Sequence, residues 1–274
     1  MPCMLPRVLT IAGSDPGGGA GVQADLKTFT VFRVFGMSAI TALTAQNTCE
    51  VRAIHAVPAA FVRQQIDLVV SDIGVDAVKT GMLLSAEIIA TVATAIRTHH
   101  FGPVVVDPVM IAQSGARLLQ EDARHCLVQE LLPLADIVTP NVPEAEVLTG
   151  MPIRGVADMH AAARRLIDLG CRASLVKGGH LDGELAVDVF ADGTECHELA
   201  CPRVPARHTH GTGCQLSAAI AAGLARGQPL HAAVDTAKRF VTVAIQEGLP
   251  LGHGAGPANP LAWLDADPAL KRHT

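Results

Sequence analysis

The sequence is poor in aromatic residues: its 274 residues include no tyrosine, one tryptophan and only 3% aromatic side chains in all. Hydrophobic residues nevertheless make up 49% of the chain, so the interior must consist mainly of alanine, valine, leucine and isoleucine. Such side chains suit tight packing of helices on a sheet, and a chain of this length can bury one large core of that kind. We therefore expect a single α/β domain over residues 1–274.

Basic runs and long apolar segments are lacking as well. The five lysines are scattered, the net charge is −5, and no basic run is interleaved with aromatic residues, which excludes the usual features of a nucleic-acid-binding protein. No apolar run approaches the roughly 20 residues of a membrane span, and the first residues lack the apolar segment of a secretory signal. We expect a cytoplasmic protein that binds neither nucleic acid nor membranes.

Several familiar ligand-binding fingerprints are also missing. The seven cysteines include no C-x-x-C pair, which argues against a zinc site or a disulfide framework and predicts reduced thiols. The segment DPGGGAG at 15–21 fits neither G-x-x-x-x-G-K-[ST] nor G-x-G-x-x-G, whose last glycine is replaced by Val22. Its glycines form either a flexible surface turn or a loop whose backbone approaches a ligand closely.

The chain does contain a regular alternation of apolar, β-rich runs with helical patterns. Strands are predicted at 7–13, 38–48, 75–83, 103–110, 135–141 and 173–180, and helices at 21–32, 59–73, 85–100, 159–170, 212–224 and 230–246. The segment 184–199 has an Asp-Gly pair between alternating runs and predicts a hairpin. This order indicates a mainly parallel sheet covered by helices on both faces.

Polar residues cluster where the predicted strands end. The six clusters are Gly13-Ser14-Asp15, Gln46-Asn47, Thr80-Gly81-Met82, Asp107, Asn141 and Lys177-Gly178-Gly179. In open α/β sheets the ligand binds beyond the carboxyl ends of the strands. Six strand ends that direct polar groups to one rim therefore predict a ligand site there.

Three polar segments each allow two interpretations, a specific chemical role and a simpler structural one. Asn141 and Glu144, between two prolines, are suited to hydrated Mg²⁺ beside a nucleotide phosphate, or simply cap the next helix. Lys177 neutralises a phosphate, or is an ordinary surface lysine. The segment HGTGC at 210–214 forms an anion hole at a helix N-terminus, where the dipole would lower the pKa of Cys214, or Cys214 merely fills a tight turn.

Taken together in this order, the segments resemble one known family. The resemblance runs from Val8 to 252–264 and is carried by TIAGSDPGGGAGVQADLKTF, TALTAQNT, VKTGML, VVVDPVM, TPNVPEAEVLTG, LVKGGH and HGTGCQLSAAIAAGLA. The sequence is similar to the hydroxymethylpyrimidine/phosphomethylpyrimidine kinases of thiamine biosynthesis, which belong to the ribokinase-like superfamily. The resemblance implies a three-layer sandwich with a mostly parallel central sheet, ATP and Mg²⁺ as cofactors, an aminopyrimidine substrate and a homodimer.

The resemblance also implies a role for each matching residue in binding the substrate ring. Asp25 and Gln46 would hydrogen-bond the aminopyrimidine, with a backbone contribution from Gly13. The carboxamide of Gln46 both donates and accepts, which suits a ring nitrogen beside an amino group. Met82 and Val109 would pack on the faces of the ring.

The other matching residues would handle the phosphates. Asn141 and Glu144 would serve Mg²⁺ and phosphate, Asp107 would support the metal or its waters, and Lys177 would neutralise the phosphates of ATP. The anion hole for the transferred phosphoryl group would be formed by Gly211, Thr212 and Gly213.

Cys214 would take the position of the catalytic base, where related sugar kinases have aspartate. The family transfers a phosphoryl group first to a hydroxymethyl group and then to the resulting phosphate. The second nucleophile is already an anion, and a fixed carboxylate would repel it by about 4 kcal/mol at ~4 Å and an effective dielectric near 20. A thiol avoids that repulsion, which predicts that Cys214→Asp slows the second transfer more than the first.

Three departures from the family pattern bear on the second transfer. Gln113 stands where lysine is usual, Gln215 where threonine is usual, and His208 where asparagine is usual. Gln215 would lie in the anion hole and change its affinity for phosphate. Two alternative functions remain: a pyridoxine/pyridoxal kinase of the same superfamily, and a non-catalytic pyrimidine- or nucleotide-binding protein on the same fold.

Overall fold

The computed structural model describes residues 5–111, 115, 118–120 and 122–266. Its strands are β1 (Arg7–Ser14), β2 (Phe35–Gln46), β3 (Val51–Ala56), β4 (Ala77–Thr80), β5 (Val104–Val106), β6 (Ile137–Val138), β7 (Ala173–Val176), β8 (Leu185–Asp192) and β9 (Cys196–Pro202). Its helices are α1 (Gly21–Val31), α2 (Ala59–Asp72), α3 (Ala86–His99), α4 (Ala123–Cys126), α5 (Val142–Thr149), α6 (Val156–Asp168), α7 (Thr212–Ala225), α8 (Leu230–Gln246) and α9 (Ala262–Ala266).

All nine strands belong to one sheet in the order β3-β2-β1-β4-β5-β6-β7-β8-β9. The six central strands, from β2 to β7, pair in parallel. β3 pairs with β2, β8 with β7 and β9 with β8 in antiparallel fashion, so the predicted hairpin at 184–199 is confirmed as β8 and β9. The carboxyl ends of the six parallel strands therefore share one edge of the sheet.

The central strands are short apolar runs because both of their faces are buried. Successive side chains of a strand point to opposite faces. Accordingly, Leu9 and Val78 pack in the core with α2, α3, α5 and α6, whereas their neighbours Val8 and Ala77 pack in the core with α1, α7 and α8. The helices thus form two layers around the sheet, which confirms the prediction of a three-layer sandwich with a mostly parallel sheet.

Helix boundaries follow the local signals in the sequence. Ser85 is the N-cap of α3, where its hydroxyl accepts a hydrogen bond from the amide of Ile88, as the sequence predicts. Helix α8 has the predicted bounds, but α6 begins three residues before the predicted start at position 159. None of the helices among the described residues is both long and apolar enough to cross a lipid bilayer.

Two regions differ from the sequence-based prediction. The edge strand β3 is mostly exposed and lacks the apolar alternation by which strands are recognised. The helical stretch 123–134 combines α4 with a π turn at Leu127–Leu131 and a 3₁₀ turn at Leu132–Leu134, so its apolar residues do not follow one regular period. The predicted strands at 103–110 and 135–141 shorten to β5 and β6.

Candidate active site

The carboxyl ends of the parallel strands surround a cavity of about 460 Å³. At least one residue from each of the six predicted polar clusters lines it, namely Ser14, Gln46, Met82, Asp107, Asn141 and Lys177. The convergence of polar groups that the sequence predicts at this rim is therefore confirmed.

The N-terminus of α7 faces this cavity. Gly211 is the N-cap residue with φ of +80°, and a side chain there would collide with the backbone carbonyl of Gly19. A Cβ added at position 213 would lie 3.2 Å from Lys177 Nζ, so a residue larger than Gly213 would displace the Lys177 ammonium. The first amides of this 14-residue helix are free of intrahelical partners, so residues 211–213 are suited to bind an anion.

The glycine-rich loop at 16–20 is fixed against this turn by Asp15. One Asp15 oxygen accepts from the amide of Gly17 at 2.8 Å, and the other accepts from Ala20 at 2.9 Å and lies 2.9 Å from His210 Nε2. Burial by itself would raise the pKa of Asp15, but these hydrogen bonds outweigh it and lower the pKa. Asp15 thus ties the loop to the cavity rim, and Ala20 at its end lines the cavity.

Lys177 and Asp107 form an ion pair on the cavity floor. Lys177 Nζ lies 3.1 Å from Asp107 Oδ1, and the two side chains are 14% and 2% exposed. Asp107 also accepts hydrogen bonds from Thr139 and Ser217. Burial lowers the pKa of Lys177, but Asp107 and Glu144 more than reverse this and raise it, so the ammonium stays charged. Lys177 is therefore not an ordinary surface lysine.

Asn141 and Glu144 form a capping box at the start of α5. The Asn141 side chain accepts from the amide of Glu144 at 2.9 Å, and Glu144 Oε2 accepts from the amide of Asn141 at 2.8 Å. The capping interpretation is thus confirmed, yet both residues also line the cavity. Burial raises the pKa of Glu144 to about 7, and nearby Asp107 adds to this effect while Lys177 opposes it.

The cavity lining also combines a carboxamide with apolar side chains. Gln46 lies on its wall and its Oε1 accepts a hydrogen bond from the Thr44 hydroxyl at 3.2 Å. Met82 and Val109 line the same cavity, and a side chain on Gly13 would meet Met82 Sδ at 2.9 Å. Thr44, whose hydroxyl donates to the Ser14 carbonyl at 2.9 Å and lies 3.2 Å from Gln46 Oε1, was missed by the sequence analysis, because one threonine in a threonine-rich strand has no distinguishing signal.

The predicted contact between Asp25 and the substrate needs correction. Asp25 is fully buried and does not line the cavity; its oxygens accept from Lys79 at 2.8 and 2.9 Å and from Thr10 at 2.6 Å. Lys79 reaches the cavity instead. The sequence analysis missed Lys79, although a lysine within the apolar run 75–83 is itself a signal, since such a residue needs a buried partner.

The pKa predicted for Cys214 is also wrong in direction. Cys214 lies in the first turn of α7 and lines the cavity, as predicted. Burial raises the pKa of its thiol to about 11, although Lys79 opposes that rise. In the resting protein the thiol is therefore neutral, because desolvation outweighs the helix dipole.

Two of the three departures from the family pattern lie outside the cavity, and the third lies outside the described residues. Gln215 is 1% exposed and donates to the Ala258 carbonyl at 3.2 Å, so the prediction that it lies in the anion hole is wrong. His208 Nδ1 accepts from the amide of Gly256 at 3.1 Å. Gln113 is not among the described residues.

A second cavity of about 550 Å³ adjoins the first, and the sequence analysis did not predict it. It shares Asn141, Lys177, Thr212 and Gly213 with the first cavity. Its remaining wall includes residues 201–206 and the α8 positions 238, 241, 242 and 245. The anion hole and Lys177 thus lie where two cavities meet.

Comparison with known proteins agrees with this geometry. A family model described as phosphomethylpyrimidine kinase matches residues 15–259. The hydroxymethylpyrimidine/phosphomethylpyrimidine kinase of Haemophilus influenzae is 50% identical, over 94% of this chain and 98% of its own. A thiamine biosynthesis bifunctional protein of Geobacter sulfurreducens is 54% identical over 93% of this chain, which spans only 52% of that relative.

Solved structures show the same likeness. The ADP complex of Bacillus subtilis pyridoxal kinase has a TM-score of 0.89 at 39% identity, covering 94% of this chain and 98% of that one. A phosphomethylpyrimidine kinase from Clostridium difficile has a TM-score of 0.78 at 44% identity, covering 87% and 99%. Given the family match over most of its length and these relatives, the chain belongs to the phosphomethylpyrimidine kinase family.

Proposed function

We propose that this protein phosphorylates 4-amino-5-hydroxymethyl-2-methylpyrimidine with ATP and then converts the monophosphate to the diphosphate. The observation that carries the proposal is the meeting of two cavities at one anion hole, with Lys177 shared between them. Such an arrangement holds a phosphoryl donor and an acceptor on opposite sides of one phosphate position, as phosphoryl transfer requires.

The first cavity is suited to the aminopyrimidine. Gln46 offers a donor and an acceptor to adjacent ring groups. Met82 and Val109 provide apolar contact for the ring, and Gly13 allows the backbone to approach it. We assign these residues to substrate binding. Asp25 is not among them, because it is fully buried and does not line the cavity.

The second cavity is suited to the nucleotide. Its wall of residues 201–206 and of α8 side chains such as Val241 and Ile245 offers apolar surface for a base. The triphosphate would then extend toward Lys177 and the amides of residues 211–213. Developing negative charge on the transferred group would meet a fixed ammonium and free helix amides, which is the main means by which such enzymes lower the barrier.

The residues near Lys177 fit a magnesium ion. No cluster of three potential ligands occurs among the described residues, but Mg²⁺ commonly uses one or two carboxylates together with phosphates and waters. Glu144 is a buried carboxyl group close to Asp107, and burial raises its pKa by disfavouring the charged form, which a bound cation would oppose. Asp107 and Glu144 would hold the ion, with Asn141 in support, and the ion would neutralise charge on the phosphates.

The two transfers make different demands on this site. In the first, the hydroxymethyl oxygen bonds to the γ-phosphorus and ADP leaves with the electrons of the broken bond. Cys214, whose neutral thiol has first given its own proton to water, takes up the hydroxyl proton as the thiolate. In the second, the acceptor is a phosphate oxygen that carries no proton, so no base is needed. A thiol at position 214 therefore assists the first transfer without placing a permanent charge next to the second acceptor.

A pyridoxal kinase is the second candidate function, because the structural similarity to Bacillus subtilis pyridoxal kinase extends over 94% of the chain. Product analysis by mass spectrometry separates the candidates. The protein is incubated with Mg-ATP and, separately, the hydroxymethylpyrimidine, its monophosphate or pyridoxal. We expect the pyrimidine to give monophosphate and then diphosphate; turnover of pyridoxal alone would contradict the proposal, and binding of the pyrimidine without turnover would favour a binding protein.

We also propose a cytoplasmic homodimer. All six cysteines among the described residues are free thiols, which agrees with a reducing compartment. Exposed apolar side chains on neighbouring elements β2 and α2, namely Leu43, Phe61 and Leu68, provide surface that a second copy would cover. Light scattering should give twice the 28.5 kDa of the chain, and a monomer at micromolar concentration would exclude the dimer.

A further inference from the structure

The main-chain pairing of β7 with its antiparallel neighbour β8 stops immediately before Lys177. The last paired residue is Val176, opposite Val189. Two positions further on, a Cβ at residue 178 would collide with the Val187 carbonyl of β8, so the chain passes β8 at a distance that only glycine allows. The buried amide of Gly178 therefore needs an acceptor outside the regular ladder.

The carboxylate of Asp188, on β8, is that acceptor. Its Oδ1 accepts from the Gly178 amide at 2.9 Å, and its Oδ2 accepts from the ammonium of Lys238, on α8, at 2.7 Å. The side chains of Asp188 and Lys238 are only 7% and 12% exposed. Two charges are costly to bury, and apolar residues can fill such a space at least as favourably, so stability alone does not explain the pair.

The bond to Asp188 holds the backbone on one side of Lys177. On the other side, the amide of Lys177 itself donates to the Pro140 carbonyl at 2.8 Å, just after β6. Two consecutive peptide groups are thus fixed where the side chain of Lys177 leaves the strand. From this point its ammonium reaches Asp107 at 3.1 Å, at the place where the two cavities meet.

Asp188 also belongs to the wall of the second cavity, together with Lys238. The rest of the loop that follows β7 has an anchor of its own, because the guanidinium of Arg203 donates to the carbonyls of Gly179 and Gly183 at 2.9 Å each. Loss of the Asp188 bond would therefore loosen the strand end without releasing the whole loop.

We propose that Asp188 is a positioning residue for both transfers: its carboxylate, oriented by Lys238, holds the Gly178 amide and so keeps the Lys177 ammonium at the junction of the two cavities. The inference rests on the proposed function. A displacement of about 1 Å can cost about 100-fold in rate, so one backbone contact is sufficient to affect catalysis. Because Lys177 serves the phosphate that both transfers share, both should depend on Asp188, whereas binding of the pyrimidine ring should not.

The test compares Asp188→Leu with Asp188→Asn. Both substitutions remove the charge and keep the approximate size, but only asparagine retains an oxygen that can accept from the Gly178 amide. We expect kcat of Asp188→Leu to lie about 10- to 100-fold below that of Asp188→Asn in both transfers, with an unchanged KM for the pyrimidine. Without substrate, NMR should show faster hydrogen exchange of the Gly178 amide in Asp188→Leu, and calorimetry should show weaker binding of a non-hydrolysable ATP analogue.

The same two substitutions at Asp136 are the control. Asp136 also joins a backbone amide, that of Val104 at 2.8 Å, to a cation, Arg172 at 2.8 Å. It precedes β6 and so lies at the amino edge of the parallel strands, away from the cavities. Its variants should keep the wild-type kcat whatever stability they lose. If Asp188→Leu does not fold because Lys238 is left unpaired, both Asp188 variants are compared in the Lys238→Met background.

Equal kcat values of the two Asp188 variants, equal exchange of their Gly178 amides, or a change confined to KM for the pyrimidine would overturn the inference. A merely structural role would lower the free energy of unfolding and leave kcat per folded molecule unchanged. An inactive wild type would instead contradict the proposed function, and amide exchange and analogue affinity would then still decide whether Asp188 positions Lys177.

Discussion

The site contains two lysine–aspartate pairs whose surroundings differ. Lys79 and Asp25 are both fully buried and joined by two hydrogen bonds, whereas Lys177 shares one contact of 3.1 Å with Asp107 and remains 14% exposed. The first pair lies under the cavity, and the second lies where the two cavities meet. The same chemical pair is thus closed off in one place and open to two cavities in the other.

The largest effect on stability is expected at the buried pair. Lys79→Met leaves the Asp25 carboxylate buried without its counter-ion, which should lower the free energy of unfolding by about 3–5 kcal/mol. Lys177→Met is the matched variant at the second pair; it should cost clearly less, because Asp107 keeps its hydrogen bonds from Thr139 and Ser217. Urea unfolding of both variants measures the difference, and equal losses would show that the two pairs are not distinct.

The second pair should matter more for catalysis than for stability. Lys177→Met removes the ammonium from the junction of the cavities and should lower kcat of both transfers by about 100- to 1,000-fold. Steady-state assays with the pyrimidine and with its monophosphate provide the measurement. A loss confined to one transfer would contradict the placement of Lys177 on the phosphate that both transfers share.

A carboxylate at position 214 should affect the two transfers unequally. Cys214→Asp adds a carboxylate beside the second acceptor, which is already an anion, and should slow the second transfer at least about tenfold more than the first. Cys214→Ser, which is neutral and similar in size, is the control and should not show this preference. Equal losses of both transfers in Cys214→Asp would rule out repulsion of the second acceptor.

The smallest effect concerns the carboxyl group beside the second pair. Burial raises the pKa of Glu144 to about 7, above the ordinary value of 4.5, so the folded state holds this proton more tightly than the unfolded state. The folded protein should therefore lose about 1–3 kcal/mol through this group as pH rises from below 4.5 to above 7. Glu144→Gln should abolish that loss: relative to the wild type it gains stability at pH 8 and little at pH 4.5. Urea unfolding at both pH values, without Mg²⁺, tests this; a gain of equal size at both would contradict it.

The sequence was sufficient to predict the sheet, the helical layers and the rim of polar residues, because each depends on local apolar patterns and on the common direction of parallel strands. It also located the glycine turn at 211–213, which begins α7 and lines the cavity. The prediction was weaker for β3 and for residues 123–134, where exposure and mixed helical geometry remove the periodic signal.

The errors within the site have a different origin. Asp25 and Lys79 lie 54 positions apart, and only the folded sheet shows that they neutralise each other. The pKa of Cys214 depends on the balance between a helix dipole and desolvation, and local sequence shows only the dipole. Gln215 follows Cys214 directly, but the helix turns it away from the cavity toward Ala258.

The central claim is that one cavity receives both the alcohol and its monophosphate. It is tested most directly by measuring how the hydroxymethylpyrimidine affects conversion of the monophosphate to the diphosphate at saturating Mg-ATP. Because both compounds would occupy the cavity lined by Gln46 and Met82, we predict that the alcohol, as a competing substrate, inhibits competitively with a constant equal to its own KM in the first transfer, measured as initial rates with isotopically labelled monophosphate. A second transfer that is unaffected by the alcohol, or one inhibited without competition, would contradict a single shared site.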